Sequence, residues 1–555
     1  MAAKAKQPCK IIPLGGLDGI GKNMTAVECG NDMVLIDAGL MFPDDSQPGV
    51  DLVLPDYTYV LENEDKLRGI IITHGHEDHT GALPYLLQDL NCNVPIFASQ
   101  LTIGLIQGKL EEHRIKNQKY REVQTGTHVN LGCISIDFFA MTHSIPGALG
   151  VYIRTPQGTL MHTGDFKLDQ TPIDGVTPDY NLINKFAKNG VDLLLSDSTN
   201  ACSPGFTKSE AEVGGSLRHI IKNAEGRVIV ASFASHIHRL QQICDAATSC
   251  GRKVVVTGRS MLTNTRVARE LGYLSVPDNA LVDAYDIADL PDNKIVVMCT
   301  GSQGEPLSAL ARMANGEHKT LSITSGDTVI VSATPVPGNE KAVQQVINNL
   351  AKLGCDVYDK SRSLVHVSGH GSAEELKLML AMVKPQYFMP VHGEAVHLRA
   401  HAKLAESVRI PQENIFILDN GDTLEMRNGI VEIGEPVDSG IVYVDGIHIG
   451  DTDPIVLRDR QKLSNDGIVT VVVTVSPKSN GIVGVEFSSR GVSFATDDQF
   501  TLDAHEAILK MINKGSFNFT SGTDAIRKAI RDCISSFIWN RSHTRPMIIP
   551  VVMEV

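Results

Sequence analysis

The 555-residue chain has no apolar run approaching the ~20 residues that a membrane-crossing helix needs, which argues against a membrane protein. Its first residues, MAAKAKQPCK, carry lysines with no apolar stretch behind them, so no secretory leader is expected. Ten cysteines are scattered, and the closest pair, Cys244 and Cys250, lacks the C-x-x-C spacing of zinc and redox motifs. They read as reduced thiols of a cytoplasmic protein. Positive charge is also short: 50 Lys and Arg stand against 64 Asp and Glu, a net −14. A protein that coats nucleic acid non-specifically needs the opposite surplus. One locally basic, metal-containing cleft for nucleic acid stays open. Short-period repeats and low-complexity tracts are missing too, which removes repeat architectures.

What is present is an ordinary globular composition, 42% hydrophobic and 21% charged, with length for roughly three to four domains. From Lys10 to about Asn200, strand-like runs (KIIPLGG, TAVECG, DMVLIDAGL, LRGIIITH, ISIDFFAMTH, GVYIRTPQGTLMHTGDF, VDLLLSDSTN) flank a helical GALPYLLQDL. Several end on Asp or His, the pattern of strand ends that line one site. From Phe206 the style changes. The Val/Ile-rich runs GRVIVASF, RKVVVTG, NKIVVMCTG and DTVIVSATP alternate with helical segments, which predicts a parallel α/β layer. After Ser363 the first style returns, with LVHVSGHG read as a strand, AEELKLMLAMV as a helix and YFMPVHGE as a strand ending in histidine. The middle unit therefore reads as an insertion. The expected boundaries are 1–205 and 364–455 for a divided domain, 206–363 for the insertion, 456–466 for a linker and 467–555 for a small α+β unit. In the last, Ile526, Ile530, Ile534 and Phe537 fall on one stripe of a helix.

The run GIIITHGHEDHTGALPYLL packs His74, His76, Asp78 and His79 into six positions after a buried-looking strand. H-x-H-x-D-H arises by chance on the order of once in a thousand chains of this length, well below most short motifs. Imidazoles and carboxylates are ligands that Zn²⁺ and Mn²⁺ favour. In an extended loop, His74 and His76 point the same way and can clamp one ion, while Asp78 and His79 face a second. Further candidates follow strands: His143 in FFAMTHSIPG, Asp165 in MHTGDFKLD and His392 in FMPVHGE. A lone strand-end histidine is more often a hydrogen-bonded surface or core residue, and Asp37 in VLIDAGL alone reads as a turn residue. Together, the seven candidates give two metal sites with Asp165 bridging and positions open for water, an arrangement of catalysis rather than of structure.

With these motifs the chain resembles the metallo-β-lactamase superfamily, whose signature T-H-x-H-x-D-H follows a hydrophobic strand, with further ligands in the same order downstream. The resemblance implies an α/β fold: a metallo-β-lactamase αββα sandwich, an inserted parallel α/β β-CASP domain and a small α+β C-terminal domain. It places Asp37 behind the ligands as a supporting partner. The insertion between LLLSDSTN and VSGHGS resembles the β-CASP branch, nucleases of RNA and DNA, whose extra motifs match Asp197, His370 and His392. GGLDGIGKNM, DAGLMFP, THGHEDHTGALPYLL, MTHSIPGALG, HTGDFKLD, HRLQQ, SGHGSAEELKLML and RPMIIPVVMEV are together similar to the ribonuclease J family over nearly the whole length. One departure is Gly19, where that family usually has glutamate before I-G-K-N.

This resemblance implies a metal-dependent ribonuclease with 5′-to-3′ exonuclease and endonuclease activity. It would prefer 5′-monophosphorylated RNA, serve mRNA decay and rRNA maturation, and hydrolyse phosphodiesters with two metals. Asp165 would bridge the ions, Asp78 would help orient the attacking water, and His370 would touch the scissile phosphate and protonate the leaving 3′ oxygen. Ser235, His236, His366, Ser368, Gly369 and His370 are the candidates for binding substrate at its 5′ phosphate. Ser235 and Ser372 also precede helical runs as N-caps do, and relatives carry Asn where this chain has His236. The implied cofactors are two divalent ions per subunit, Zn²⁺ or Mn²⁺, and a structural Ca²⁺ at Gly49, Asp51 and Asp445. The implied partners are RNA, further copies of the chain in a homodimer or homotetramer, and other RNA-decay proteins, with no membrane. Three rivals stay open. A thioesterase or lactonase of the same fold leaves the inserted and C-terminal units unexplained. A β-CASP DNA nuclease is separable only by dependence on the 2′-hydroxyl. An RNA-binding scaffold without catalysis would show a missing ligand.

Overall fold

The computed structural model describes the chain apart from residues 1–6, 45, 306, 337–338, 447, 451–453, 477–480, 495–497, 514–522 and 555, so the lysines at the very start lie outside the described residues. Two compact units result: Met1–Phe42 with Val53–Val442, and Pro43–Leu52 with Tyr443–Val555.

In the larger unit, strands Cys9–Gly15, Met24–Cys29 and Asp32–Ile36 run antiparallel, and Leu67–Ile71 and Ile96–Ala98 join them in parallel. A second sheet sets Ile134–Ala140, Leu149–Thr155 and Gly158–His162 antiparallel, followed by Leu193–Asp197 and Tyr387–Val391 in parallel. These strands are apolar almost throughout because both faces are covered. Ile11, Val27, Val34 and Ile71 of the first sheet share one core with Ile136, Val151, Leu193 and Met389 of the second. On the other face of the second sheet, Phe139, Tyr152 and Met161 meet Phe186, Met379 and Ala405. Those three belong to helices Tyr180–Asn189, Ala373–Val383 and Ala395–Ser407. Helices Thr58–Glu62 and Leu83–Asp89, which connect strands of the first sheet, bury Val60, Leu83 and Leu86. This is the expected αββα sandwich.

Its consequence for function is directional. Asp32–Ile36, Leu67–Ile71, Ile134–Ala140, Gly158–His162, Leu193–Asp197 and Tyr387–Val391 bring their carboxyl ends to the same edge of the sandwich, where open α/β sheets place ligands.

Between Leu193–Asp197 and Tyr387–Val391 lies a six-stranded sheet in which every pairing is parallel. Its alternate residues face two helical layers. Val228, Val230 and Met298 pack with Leu217, Leu240 and Ile243 on one side, and Ile229, Val297 and Val329 pack with Leu310 and Leu350 on the other.

In the smaller unit, the strict alternation of Ile468–Ser476 turns Val469, Val471, Val473 and Val475 onto Ile508, Ile526, Ile530, Ile534 and Ile538. Ile538, the next i+4 position, completes the buried helical stripe, and Phe537 packs at its rim. Two expected elements differ. LVHVSGHG forms no strand: residues 364–371 are irregular, and the Val365 carbonyl is taken by the Arg239 guanidinium and by Ser332 Oγ (2.7 Å) instead of a neighbouring strand. The charged connector at 456–466 is helical, Pro454–Asp466. Its Arg, Lys, Gln and Leu are good helix formers, and a proline suits the first position.

Candidate metal centre

Asp37 and His392 both end strands in left-handed backbone, φ 60° and 55°. That conformation costs a side-chain-bearing residue about 1 kcal/mol or more, and such strain collects at functional sites. The turns aim both side chains into a cluster that gathers all seven candidate ligands. His74, His76 and His143 form one group, and Asp78, His79, Asp165 and His392 form another.

In the first group three ring nitrogens converge: His76 Nδ1 lies 3.0 Å from His74 Nε2 and 3.1 Å from His143 Nε2. His143 Nδ1 faces the Gly369 carbonyl at 2.7 Å, so its proton sits there and Nε2 carries a lone pair. Thr73 Oγ1 donates to the Asp37 carboxylate (2.9 Å) and accepts from His74 Nδ1 (3.0 Å), which leaves His74 Nε2 a lone pair too. Burial pushes His74 and His143 well below the usual imidazole range and brings His76 down to about 4. Neutral imidazoles with lone pairs facing one another are a donor set that fits a cation.

The second group centres on Asp165. Its Oδ1 lies 2.8 Å from His392 Nδ1, and its Oδ2 lies 3.2 Å from His79 Nε2 and 3.6 Å from His74 Nε2. Asp165 thus touches both groups. Asp78 Oδ2 approaches His392 Nε2 at 3.3 Å and His79 Nε2 at 3.5 Å. Burial opposes charge on His79 and His392, but the carboxylates outweigh it, raising His79 well above its usual value and His392 to about 10. Burial is likewise overcome at Asp78 and Asp165, which the two imidazoles hold well below the ordinary carboxylate range. These four residues are proton-linked pairs whose protons a metal ion would displace.

Support stands behind both groups. Asp37 Oδ2 holds His79 Nδ1 at 2.7 Å, and its Oδ1 accepts the Thr73 N–H at 2.8 Å. Asp197 Oδ2 holds His370 Nδ1 at 2.7 Å. His370 Nε2 is left facing the centre, 4.0 Å from Asp165 Oδ2. Burial works against a charged His370, yet Asp197 raises its pKa above the usual value.

Beside His370 opens a cavity of about 340 Å³ lined by Asn200, Thr207, Lys208, His366, Ser368 and Ser372, among others. His366 Nδ1 is buried there without a hydrogen-bond partner, and Asn200 Nδ2 donates to Ser368 Oγ at 2.8 Å. Ser235 and His236 do not line it. His236, rather than Ser235, caps helix Ile237–Ser249, and its Nε2 faces the Glu210 carboxylate at 3.6 Å, an anionic neighbour that disfavours a phosphate contact. Ser372 is an N-cap, closing a reciprocal capping box with Glu375. Gly19 donates its N–H to the Gly393 carbonyl at 3.0 Å, and a Cβ there would meet nothing.

At the expected calcium position the candidate oxygens have partners within the chain. Arg460 Nη1 donates to the Gly49 carbonyl at 3.1 Å, and Nη2 pairs with the Asp445 carboxylate. Asp51 Oδ2 accepts the Gly446 N–H at 2.7 Å. The Arg460 guanidinium thus stands at two of the three expected calcium ligands and a backbone N–H at the third, a cation of the chain in the place expected for the ion. Sequence reading also missed Asn23, Thr73, Asn200 and Thr207. Asn23 Nδ2 reaches His79 Nε2 (3.1 Å), and Thr207 Oγ1 donates to the His370 carbonyl (2.8 Å). The sequence signals were their positions: Asn23 inside IGKNM, Thr73 opening THGHEDH, Asn200 inside DSTN and Thr207 a few residues beyond it.

A sandwich with this donor set along its strand ends defines a metal-dependent hydrolase of the metallo-β-lactamase superfamily, whose family model matches residues 17–182. Residues 225–350 match "Ribonuclease J, beta-CASP domain", 356–417 "Zn-dependent metallo-hydrolase RNA specificity domain" and 455–555 "Ribonuclease J C-terminal domain". The chain belongs to the ribonuclease J family. It is 42% identical to Ribonuclease J 1 of Streptococcus pyogenes over 98% of this chain and 97% of that one. It is 39% identical to Ribonuclease J2 of Bacillus subtilis over the full length of both, and 42% identical to Ribonuclease J of Thermus thermophilus over 98% and 95%. A crystal structure of a protein of unknown function from Enterococcus faecalis shares the fold, with a TM-score of 0.54 at 15% identity, covering 76% of this chain and all of that one. The protein is a metal-dependent ribonuclease that hydrolyses phosphodiester bonds.

Proposed function

We propose that the chain degrades 5′-monophosphorylated RNA from its 5′ end and also cleaves internally, using two divalent ions, Zn²⁺ or Mn²⁺, held by His74, His76, Asp78, His79, His143, Asp165 and His392. The observation that carries this reading is the convergence of seven donors from distant strand ends beside His370 and a polar cavity. Two ions held there would supply an acidified water and positive charge facing the phosphate. Asp78, partly open to solvent, orients the attacking water, and Asp165 fixes the spacing of the two groups. Asp197 keeps His370 protonated, and Nε2 gives that proton to the departing 3′ oxygen. His366, Ser368 and the Gly369 backbone, joined by Asn200, take the 5′ phosphate.

The divided-domain boundaries 1–205, 206–363 and 364–455 belong to the same reading, supported by the all-parallel sheet between Leu193–Asp197 and Tyr387–Val391. So do a homodimer or homotetramer, association with other RNA-decay proteins, a cytoplasmic setting, and roles in mRNA decay and rRNA maturation. One reaction tests the activity: 3′-protected RNAs carrying a 5′-monophosphate or 5′-triphosphate, and a DNA of the same sequence, each with and without chelator. Mononucleotides from the monophosphate RNA, lost on chelation and restored by Zn²⁺ or Mn²⁺, are expected. Equal rates on both 5′ ends would remove the phosphate pocket, and equal rates on DNA would favour the nuclease rival.

A further inference from the structure

In the cavity beside His370, one side chain grips two of the residues that face substrate. Asn200 lies just past strand Leu193–Asp197, and its Nδ2 donates to the His370 carbonyl at 2.9 Å and to Ser368 Oγ at 2.8 Å. A carbonyl can only accept, so the contact with His370 fixes which end of the amide faces the segment 364–371, and both amide protons are used there. Ser368 Oγ also accepts the His370 N–H at 3.1 Å. A hydroxyl oxygen has two lone pairs, and at Ser368 both are now filled. What remains is its own proton, which neither of these partners can take, because N–H groups only donate. Thr207 Oγ1 gives its proton to the same His370 carbonyl at 2.8 Å. Lys208 is among the described residues that line this cavity, and no Asp or Glu is. His366 Nδ1, buried there without a hydrogen-bond partner, is a second polar atom that nothing in the chain satisfies.

We propose that Asn200 is a specificity-determining positioning residue: together with the His370 N–H it fills both lone pairs of Ser368, makes that hydroxyl a donor alone, and so selects RNA with a 5′ phosphate over RNA with a 5′ hydroxyl. The proposal rests on the reading of this cavity as the 5′-phosphate site. A phosphate monoester is an anion whose oxygens accept, and a hydrogen bond to it is charge-assisted, roughly twice as strong as a neutral one. A 5′ hydroxyl offers the Ser368 proton only a neutral oxygen, and it brings a proton of its own that Ser368 has no lone pair to receive. Because both its protons are used within the chain, Asn200 acts through Ser368. The same amide holds the His370 carbonyl, so one side chain sets the residue that meets the 5′ end and the residue that meets the scissile phosphate.

The test is the ratio of kcat/KM on 5′-monophosphate RNA to kcat/KM on the same RNA with a 5′ hydroxyl, measured on the full-length, zinc-loaded protein. A variant that only loosens the structure lowers both values and leaves the ratio. The wild type is expected to prefer the monophosphate. Ser368→Ala should lower the ratio about 10- to 100-fold, the usual range for a lost hydrogen bond to a charged group, and Asn200→Ala should lower it by part of that factor. The double variant should fall no further than Ser368→Ala, because Asn200 works through the hydroxyl that is already gone. A wild-type preference that survives intact in Asn200→Ala, or a double variant that loses the product of the two single factors, overturns this proposal alone. Equal rates on the two RNAs in the wild type overturn the 5′-phosphate reading and this proposal with it. Should Asn200→Ala fail to fold, a crystal structure of the wild type with 5′-monophosphorylated RNA decides. A phosphate oxygen within hydrogen-bond reach of Ser368 Oγ, with Asn200 Nδ2 still on that hydroxyl, supports the proposal, and a 5′ phosphate bound away from Ser368 overturns it.

Discussion

His370 is the residue on which chemistry and scaffold separate most cleanly. Its Nδ1 is committed to Asp197 and its Nε2 is free for substrate. Replacing His370 with Ala should lower turnover about 10²- to 10⁴-fold, the usual range for a lost general acid, while RNA affinity and metal content measured on the same preparation stay near wild type. Arg460 makes the opposite kind of claim. Since its guanidinium already satisfies Gly49 and Asp445, millimolar Ca²⁺ or its chelation should leave the melting temperature of the Zn²⁺-loaded protein unchanged. A calcium-dependent rise would restore the ion. At Gly19 a side chain has open space, and Asp18 one residue earlier already accepts the Ala395 N–H at its Oδ1 (3.2 Å). Gly19→Glu should therefore fold and retain activity in a standard RNA assay.

The element that needs most support is the irregular segment 364–371. It carries His366, Ser368 and His370, and its Gly369 carbonyl fixes the tautomer of His143. A Cβ at Gly369 would lie 2.7 Å from His143 Cε1 and 3.0 Å from Ser144 Cβ. Gly369→Ala should therefore cost activity about 10²-fold, as small misplacements at a reacting centre do, with little change in melting temperature. Arg239 holds the other end of the segment from a buried position paired with Glu210. Arg239→Met removes the guanidinium from that buried carboxylate and leaves it only the His236 ring 3.6 Å away, a loss of about 3–5 kcal/mol that denaturant titration would read.

This segment also marks the limit of what could be read from sequence. The H-x-H-x-D-H ligands were legible because their spacing is local, and the strands were legible because burial on both faces writes continuous Val and Ile. LVHVSGHG looked like a strand because alternation does not reveal that its hydrogen bonds go to Arg239 and Ser332, which are distant in sequence. Arg460 was hidden in the same way, as one charge among several on what read as a linker. Ser235 was the reasonable cap, and the chain gave that place to His236 one residue later.

For the whole molecule, metal and protons compete for the same atoms. Without metal, His392 titrates at about 10, above the ~6.5 of an unfolded histidine. Its contribution to stability is complete below about pH 6.5 and fades as pH climbs toward 10. The metal-free protein should thus lose stability across that window, an effect that bound metal replaces. Metal binding at pH 7 should release protons, measurable by calorimetry in buffers of different ionisation enthalpy, because His79 and His392 are protonated before the ion arrives. The most direct measurement is anomalous X-ray diffraction at the zinc edge from crystals of the active, zinc-loaded protein. The account predicts two peaks per chain, one among His74, His76 and His143 and one among Asp78, His79, Asp165 and His392, with Asp165 reaching both. A fully active protein with no peak within reach of those side chains would contradict it.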